Sequence, residues 1–133
     1  MLVGFILFTR EYHSSQYQRQ ARKTFVNGLV SAVDYARHSG DHPICVTGEV
    51  LAPYIFVLFN EQMNPAEYLG DIRYLNMQDE FRKMISMGRY TFGLENCPQE
   101  SNIIYILSGG KPPNPDINYK VKKLLDFQVY IPK

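Results

Sequence analysis

The chain has 133 residues, of which 45% are apolar and 20% are charged, and its formal net charge is +1. This length and balance fit one globular domain with a core of its own, and they exclude a long disordered tail. The small net charge and the scatter of basic residues among acids exclude the electrostatic footprint of nucleic-acid binding. We therefore expect a single soluble domain over residues 1–133 with no nucleic-acid partner.

The first predicted elements are a strand, a long helix and a second strand. Leu2 to Phe8 is apolar but too short to cross a bilayer, and it lacks the basic flank of a signal peptide, so it predicts a core strand. A long amphipathic helix then begins at Ser14 or Ser15, with apolar residues at spacings of three and four as far as Ala36, and is stopped by Ser39-Gly40. Pro43 to Gly48 predicts a short buried strand, joined to the first by a right-handed crossover.

An apolar block of six large residues, Tyr54 to Phe59, follows Ala52-Pro53. A run of this length fits a buried helix or a buried strand, and a proline suited to a helical first turn favours the helix. Asn64, followed by a proline and an acid, predicts the start of a second short helix.

The second half of the chain is predicted to mix strands and helices. The predicted strands are Asp71 to Leu75, Arg89 to Leu94, Asn102 to Leu107 and Asp126 to Ile131. The predicted helices are Gln78 to Met87 and Tyr119 to Leu125. Mixed elements with a crossover indicate an α/β fold, a single-domain three-layer α/β sandwich with a mixed, partly parallel sheet.

The candidate ligand loop is Thr47, Gly48 and Glu49, which follows Val46 at the carboxyl end of the predicted strand Pro43 to Gly48. Open α/β sheets bind ligands beyond the carboxyl ends of their strands. A plain turn between strand and helix is the alternative interpretation of the same residues.

Other motifs predict no catalytic, cofactor or metal site. Gly109-Gly110-Lys111 suggests phosphate binding, but Pro112 stands where a Walker A motif needs Ser or Thr. The three histidines lack metal-ligand spacing, and no Ser, His and Asp trio lies in a recognisable elbow.

The two cysteines, Cys45 and Cys97, form no disulfide framework or metal pattern. Only their separation in space decides whether they pair. A buried thiol at Cys45 and a loop thiol at Cys97 is the favoured interpretation.

Several segments, in their order and spacing, carry a resemblance to a known family. They are Phe25 to Ala36, Thr47, Pro53 to Phe59, Asn64 to Tyr68 and Met87 to Gly93. Together they resemble the C-terminal soluble region of bacterial membrane glycosyltransferases related to the dolichyl-phosphate-mannose protein mannosyltransferases and the lipid A aminoarabinose transferases. The resemblance covers roughly residues 5 to 108.

The resemblance implies a fragment of a polytopic transferase that moves a sugar from a polyprenyl-phosphate donor to an acceptor at the outer face of the membrane. Its catalytic acids would lie in loops between transmembrane helices that this sequence lacks. The chain is then expected to be a non-catalytic accessory domain on the extracytoplasmic side of the cell membrane. Its partners would be the transmembrane catalytic part of the same polypeptide and an acceptor glycan or protein. The alternative is a free-standing α/β small-ligand-binding module or small enzyme that uses the loop after Val46.

A candidate docking surface for the membrane part is Met63, Tyr68 and Tyr74, residue types that are enriched at interfaces. The neighbouring block Tyr54 to Phe59 and the first strand are expected to lie in the core instead.

Overall fold

The computed structural model describes residues 2–17, 28–62, 64, 66, 69–78, 82–114 and 116–133. The helices with both ends described are α1 (Leu2–Tyr12), α2 (Leu29–Arg37) and α3 (Pro53–Glu61). The strands are β1 (Ile44–Val46), β2 (Arg73–Tyr74), β3 (Met84–Met87), β4 (Tyr90–Phe92), β5 (Ile104–Leu107), β6 (Tyr119–Leu124) and β7 (Phe127–Pro132). A 3₁₀-helix, Leu94–Asn96, follows β4.

The strands form one seven-stranded mixed sheet in the order β2-β3-β4-β1-β5-β7-β6. β1 lies at its centre and pairs in parallel with both β4 and β5. The outer pairs β2 with β3, β3 with β4, β5 with β7 and β6 with β7 are antiparallel. The predicted α/β class with a mixed, partly parallel sheet is thereby confirmed.

The core lies mainly on one face of the sheet. Side chains alternate along a strand, so Ile44 and Val46 face α2 and α3 while Cys45 faces the other way. α2 contributes four fully buried residues to this core and contacts α3. The described helices that pack on the sheet, α2 and α3, share this face. The helical layer on the other face, which a three-layer sandwich requires, stays a prediction.

Cys45 and Cys97 form a disulfide, with Cα atoms 6.0 Å apart. The favoured interpretation of two free thiols was therefore wrong. Cys45 points to the face opposite the helices, and the chain after the 3₁₀-helix brings Cys97 to the same face, where Tyr105 and Tyr130 are buried. The sequence alone does not reveal this shared face.

The N-terminal apolar run is helix α1, not a core strand, so the predicted crossover between the first two strands was wrong too. Its large apolar side chains from Val3 to Phe8 are exposed. A short apolar run has no periodicity that separates a strand from a helix, and this one has no strand partner in the sheet.

The predicted long helix is not continuous. Ser14 Oγ accepts a hydrogen bond from the Tyr17 N–H at 3.1 Å, as expected of an N-cap, and residues 15–17 are helical. Residues 18–27 lie outside the described part of the chain. Gly28 then takes a left-handed conformation with φ 102°, and α2 begins after it. A Cβ at Gly28 would lie 2.9 Å from the Leu124 carbonyl oxygen, so the β6–β7 turn fits only against glycine here.

Two further predicted helices were wrong, because the segments are β3 and β6. Both are fixed by antiparallel neighbours, β4 and β7. The predicted strands at β1, β4, β5 and β7 are confirmed, as is a two-residue strand, β2, within 71–75. The apolar block is helical as favoured, in α3, although Ile55 and Phe59 are exposed instead of lying in the core.

Candidate functional site

A cleft of about 680 Å³ opens at the carboxyl ends of β1 and β4. The residues that line it are Gly48 to Tyr54, Arg82 to Met84, Phe92 and Gly93. β3 runs antiparallel to β4, so the first residues of β3 lie beside the carboxyl end of β4. The cleft thus lies where α/β sheets commonly place ligands.

The loop after β1 is held by its own hydrogen bonds. Thr47 is 3% exposed, its N–H donates to the Ile106 carbonyl at 2.9 Å, and its Oγ1 accepts the Glu49 N–H at 3.3 Å. Gly48 lies close to Gly93, because a Cβ at Gly48 would be 3.2 Å from the Gly93 Cα. The absence of side chains at both positions lets the two loops approach each other.

Glu49 links the loop to the end of β5. Its carboxylate accepts a hydrogen bond from the Ser108 hydroxyl. The carboxylate is therefore positioned beside the cleft, although the residue is exposed.

The opposite wall carries two cations, Arg82 and Lys83. Two hydrogen bonds fix the backbone of Lys83. Its N–H donates to Asn76 Oδ1 at 2.8 Å, and its carbonyl accepts the Leu75 N–H at 2.9 Å. Lys83 Nζ lies 3.4 Å from Glu95 Oε1. A backbone hydrogen bond, with a smaller contribution from Lys83, holds the pKa of Glu95 below its ordinary value.

Arg82 differs from its neighbour in its surroundings. Its guanidinium carbon lies 5.9 Å from the centroid of the Tyr74 ring, within cation–π range. At this distance the positive charge of Arg82 can interact with the face of the aromatic ring.

The remaining wall is apolar. Tyr54 lies edge-on to the buried Phe92, with ring centroids 6.4 Å apart. Leu51 stands at the rim and is 92% exposed. Ala52, before Pro53, takes a left-handed conformation with φ 50°, which is uncommon for a residue with a Cβ. The helix does begin at Pro53, as its suitability for a first turn predicted, but the sequence did not predict the left-handed conformation of Ala52.

The structure separates the residues of the candidate ligand loop. Gly48 and Glu49 line the cleft, whereas Thr47 is buried beneath it and shapes the turn. Arg82 and Lys83 were missed, because they lie more than thirty residues after Glu49, in the middle of a segment that was predicted to be a helix. Their adjacent positive charges indicate a binding site only once it is known that β3 pairs with β4.

The candidate docking surface is only partly described. Met63 and Tyr68 lie outside the described residues, and Tyr74 is half-buried beneath Arg82. Close to Tyr74 in the chain, Leu69, Leu75 and Met77 are exposed, and Leu51, Ile55 and Phe59 form a second exposed apolar set, spaced four apart along the chain.

The cleft combines a carboxylate, two cations and an apolar wall, which suits binding. Across the described residues there is no group of three His, Cys, Asp or Glu side chains that could hold a metal ion. None of the described helices is both long and apolar enough to cross a membrane. No protein-family model, no curated protein and no solved structure matches the chain.

Proposed function

We propose that this chain is a non-catalytic, extracytoplasmic accessory domain of a membrane glycosyltransferase. The parent enzyme would transfer a sugar from a polyprenyl-phosphate donor to an acceptor at the outer face of the membrane. The class of enzyme rests on the resemblance in sequence, and the exposed apolar helix α1 is the observation that carries the membrane placement.

α1 presents apolar side chains in every direction. Its large residues at 3 and 5–8 are each between 56% and 71% exposed. Successive residues of a helix point about 100° apart, so four consecutive ones, Phe5 to Phe8, cover the whole circumference. A groove on a partner protein would cover one side only, whereas lipid covers all of them, and a helix that is apolar all round is typical of buried or membrane environments.

The end of α1 suits the surface of a bilayer. The Tyr12 ring lies 5.2 Å from the Tyr17 ring and 5.4 Å from the His13 ring, which makes an aromatic cluster directly after the apolar residues. Tyrosines are enriched at the level of lipid head groups, and Arg10 can extend its charge to the same level. Seven apolar residues span about 10 Å, which fits within one leaflet of a hydrocarbon core about 30 Å thick.

The disulfide between Cys45 and Cys97 supports the extracytoplasmic side. Disulfides persist in oxidising compartments and are rare in the reducing cytosol. The bond lies within the sheet and its adjoining loop, so it belongs to the folded domain.

The membrane placement is tested with lipid vesicles. The double variant Ile6→Asp/Leu7→Asp should lose vesicle binding at least about ten-fold in a sedimentation assay, because each charge is costly in hydrocarbon. A matched control is Val121→Asp/Leu125→Asp, two exposed apolar residues of the β6–β7 hairpin, which should bind as the unsubstituted chain does. Equal binding by the α1 variant would refute the placement.

The accessory role is tested with the parent enzyme. The purified domain should release no sugar from a polyprenyl-phosphate donor, and its deletion from the full-length protein should change acceptor use or folding. Robust transferase or hydrolase turnover by this domain alone would overturn the proposal.

A second candidate is the free-standing α/β binding module that uses the loop after Val46. The cleft beside Gly48 and Glu49 favours it. Glu49→Ala should then weaken binding of the ligand, and an unchanged affinity would remove this loop as a site.

A further inference from the structure

We propose that the cleft binds an anionic amphiphile, with a phosphate group held by Arg82 and Lys83 and an apolar portion against Val50, Leu51 and Tyr54. Binding of such a ligand does not depend on whether α1 meets a membrane. It specifies the ligand class of the loop after Val46, and it applies equally to an accessory domain and to a free-standing module.

The described part of the cleft brings two carboxylates, Glu49 and Glu95, near two cations, but neither carboxylate is paired with Arg82. Lys83 is paired with Glu95, and the Glu49 carboxylate, the acid that lines the cleft, accepts the Ser108 hydroxyl. Among the described residues, no carboxylate lies within ion-pair distance of Arg82. A guanidinium over an aromatic ring keeps its in-plane N–H groups available to an oxyanion.

A phosphate group matches these donors better than a neutral polar group. It carries a charge between about −1.5 and −2 at neutral pH and has several acceptor oxygens. Arginine binds phosphate through two parallel hydrogen bonds, and an adjacent lysine adds a second positive charge. The ligand would therefore place its phosphate at the β3 side of the cleft, where both side chains begin.

The opposite wall requires an apolar portion in the same ligand. Leu51 is almost fully exposed at the rim, and Val50 and Tyr54 are half-buried. Ala52, the residue after Leu51, has a left-handed backbone conformation immediately before Pro53. A purely polar ligand would leave this apolar surface in water, whereas an alkyl or isoprenoid group would cover it.

The size of the cleft agrees with such a ligand. Its volume of about 680 Å³ lies within the range of about 300 to 1,000 Å³ that is usual for small-molecule sites. A chain of eight carbons with a phosphate is well within this space. Octyl phosphate below its micelle concentration is therefore a suitable probe.

The experiment titrates the full chain with octyl phosphate and follows backbone amide signals by NMR. The amides of Gly48 and Gly93 report on the cleft, and those of α1 report separately on nonspecific contact with the alkyl chain. Octyl glucoside, a neutral amphiphile, and inorganic phosphate are the comparison probes. We expect octyl phosphate to shift the cleft amides at a concentration at least about ten-fold lower than either.

Paired variants assign the effect to the named residues. Arg82→Gln/Lys83→Gln should weaken octyl phosphate binding at the cleft at least ten-fold, and Leu51→Ser should weaken it several-fold. The matched control Lys122→Gln/Lys123→Gln removes two exposed charges from β6 and should change nothing. Equal shifts of the cleft amides by octyl glucoside, or undiminished binding by the Arg82/Lys83 variant, would overturn the proposal.

The same phosphate chemistry occurs in a soluble ligand and in a lipid head group. Hydrogen exchange of the cleft amides is measured with phosphatidylglycerol vesicles. Protection of these amides that depends on Arg82 would assign the phosphate to a lipid. Binding of octyl phosphate without such protection would assign it to a soluble ligand. Absence of both effects would leave no anionic amphiphile in the cleft and would refute the inference.

Discussion

Glu61, the last residue of α3, is where three side chains from other elements meet. It accepts a hydrogen bond from the Tyr90 hydroxyl, and its carboxylate lies 3.7 Å from both Arg37 and Arg89. Arg89 also donates to the Gly40 carbonyl at 3.0 Å, so the same cluster connects α2, α3 and the turn before β4. The Gly88-Arg89-Tyr90 segment, part of the sequence resemblance, thus has a structural role at the end of the sheet opposite the cleft.

The Tyr90 hydroxyl should contribute stability that is lost in alkali. Burial, and then the hydrogen bond and charge of Glu61, raise the pKa of Tyr90 well above its ordinary value. The folded state therefore holds this proton more tightly than the unfolded state does. Its contribution is complete below about pH 10 and declines above it, by up to about 1.4 kcal/mol per pH unit.

Tyr90→Phe tests this role in urea unfolding at pH 8 and pH 11. At pH 8 the variant should lose about 1.5 to 3 kcal/mol, the usual contribution of a hydrogen bond to a charged group. Between the two pH values it should lose less stability than the unsubstituted chain. Some alkaline loss remains, because burial also raises the pKa of Tyr105 and of Tyr119. The exposed Tyr12→Phe is the control, and a Tyr90→Phe profile parallel to it would contradict the assignment.

At the scale of the elements, α2 is joined to the sheet through a row of buried residues, of which Leu29 is the largest. Leu29→Ala should cost about 2 to 5 kcal/mol, since it removes a fully buried side chain and leaves a cavity. Urea unfolding measures the loss, with the exposed Val30→Ala on the same helix as the control. A loss below about 1 kcal/mol for Leu29→Ala would mean that α2 does not anchor the core.

The elements predicted correctly from sequence are those with strong local signals. β1, β4, β5 and β7 have apolar or alternating residues rich in β-formers, and Pro53 marks the first turn of α3. β6 was mistaken for a helix because its lysines and leucine favour helices, whereas its conformation is set by pairing with β7. Gly28 was mistaken for a helix-interior residue because its close contact with the β6–β7 turn is nonlocal.

The candidate site was predictable only in part, for the same reason. Gly48 and Glu49 follow a recognisable strand, so their position at its carboxyl end could be predicted. Arg82 and Lys83 reach the cleft because β3 pairs with β4, which no local pattern reveals. The wall with Gly48 and Glu49 could thus be placed from the sequence, whereas the wall with Arg82 and Lys83 could be placed only once the strand pairing was known.

At the scale of the whole molecule, the disulfide connects residues 52 positions apart and so restricts much of the unfolded chain. Loop-closure entropy for this separation corresponds to about 4 kcal/mol. Cys45→Ala/Cys97→Ala should therefore lose about 2 to 5 kcal/mol in urea unfolding. A reducing agent should destabilise the unsubstituted chain by a similar amount and leave the double variant unchanged. If the reductant affected both chains equally, the bond would not account for the difference.

The two outermost strands of the sheet decide how the molecule behaves at high concentration. An outer strand has unpaired backbone N–H and C=O groups that can recruit a strand from another molecule. β6 carries Lys120, Lys122 and Lys123, so two copies brought together along it would repel each other through six positive charges. β2, at the other side, has two residues and an irregular register, too short a template for a visiting strand. The sheet is therefore protected against fibrillar aggregation by the positive charge of β6 at one edge and by the short length of β2 at the other.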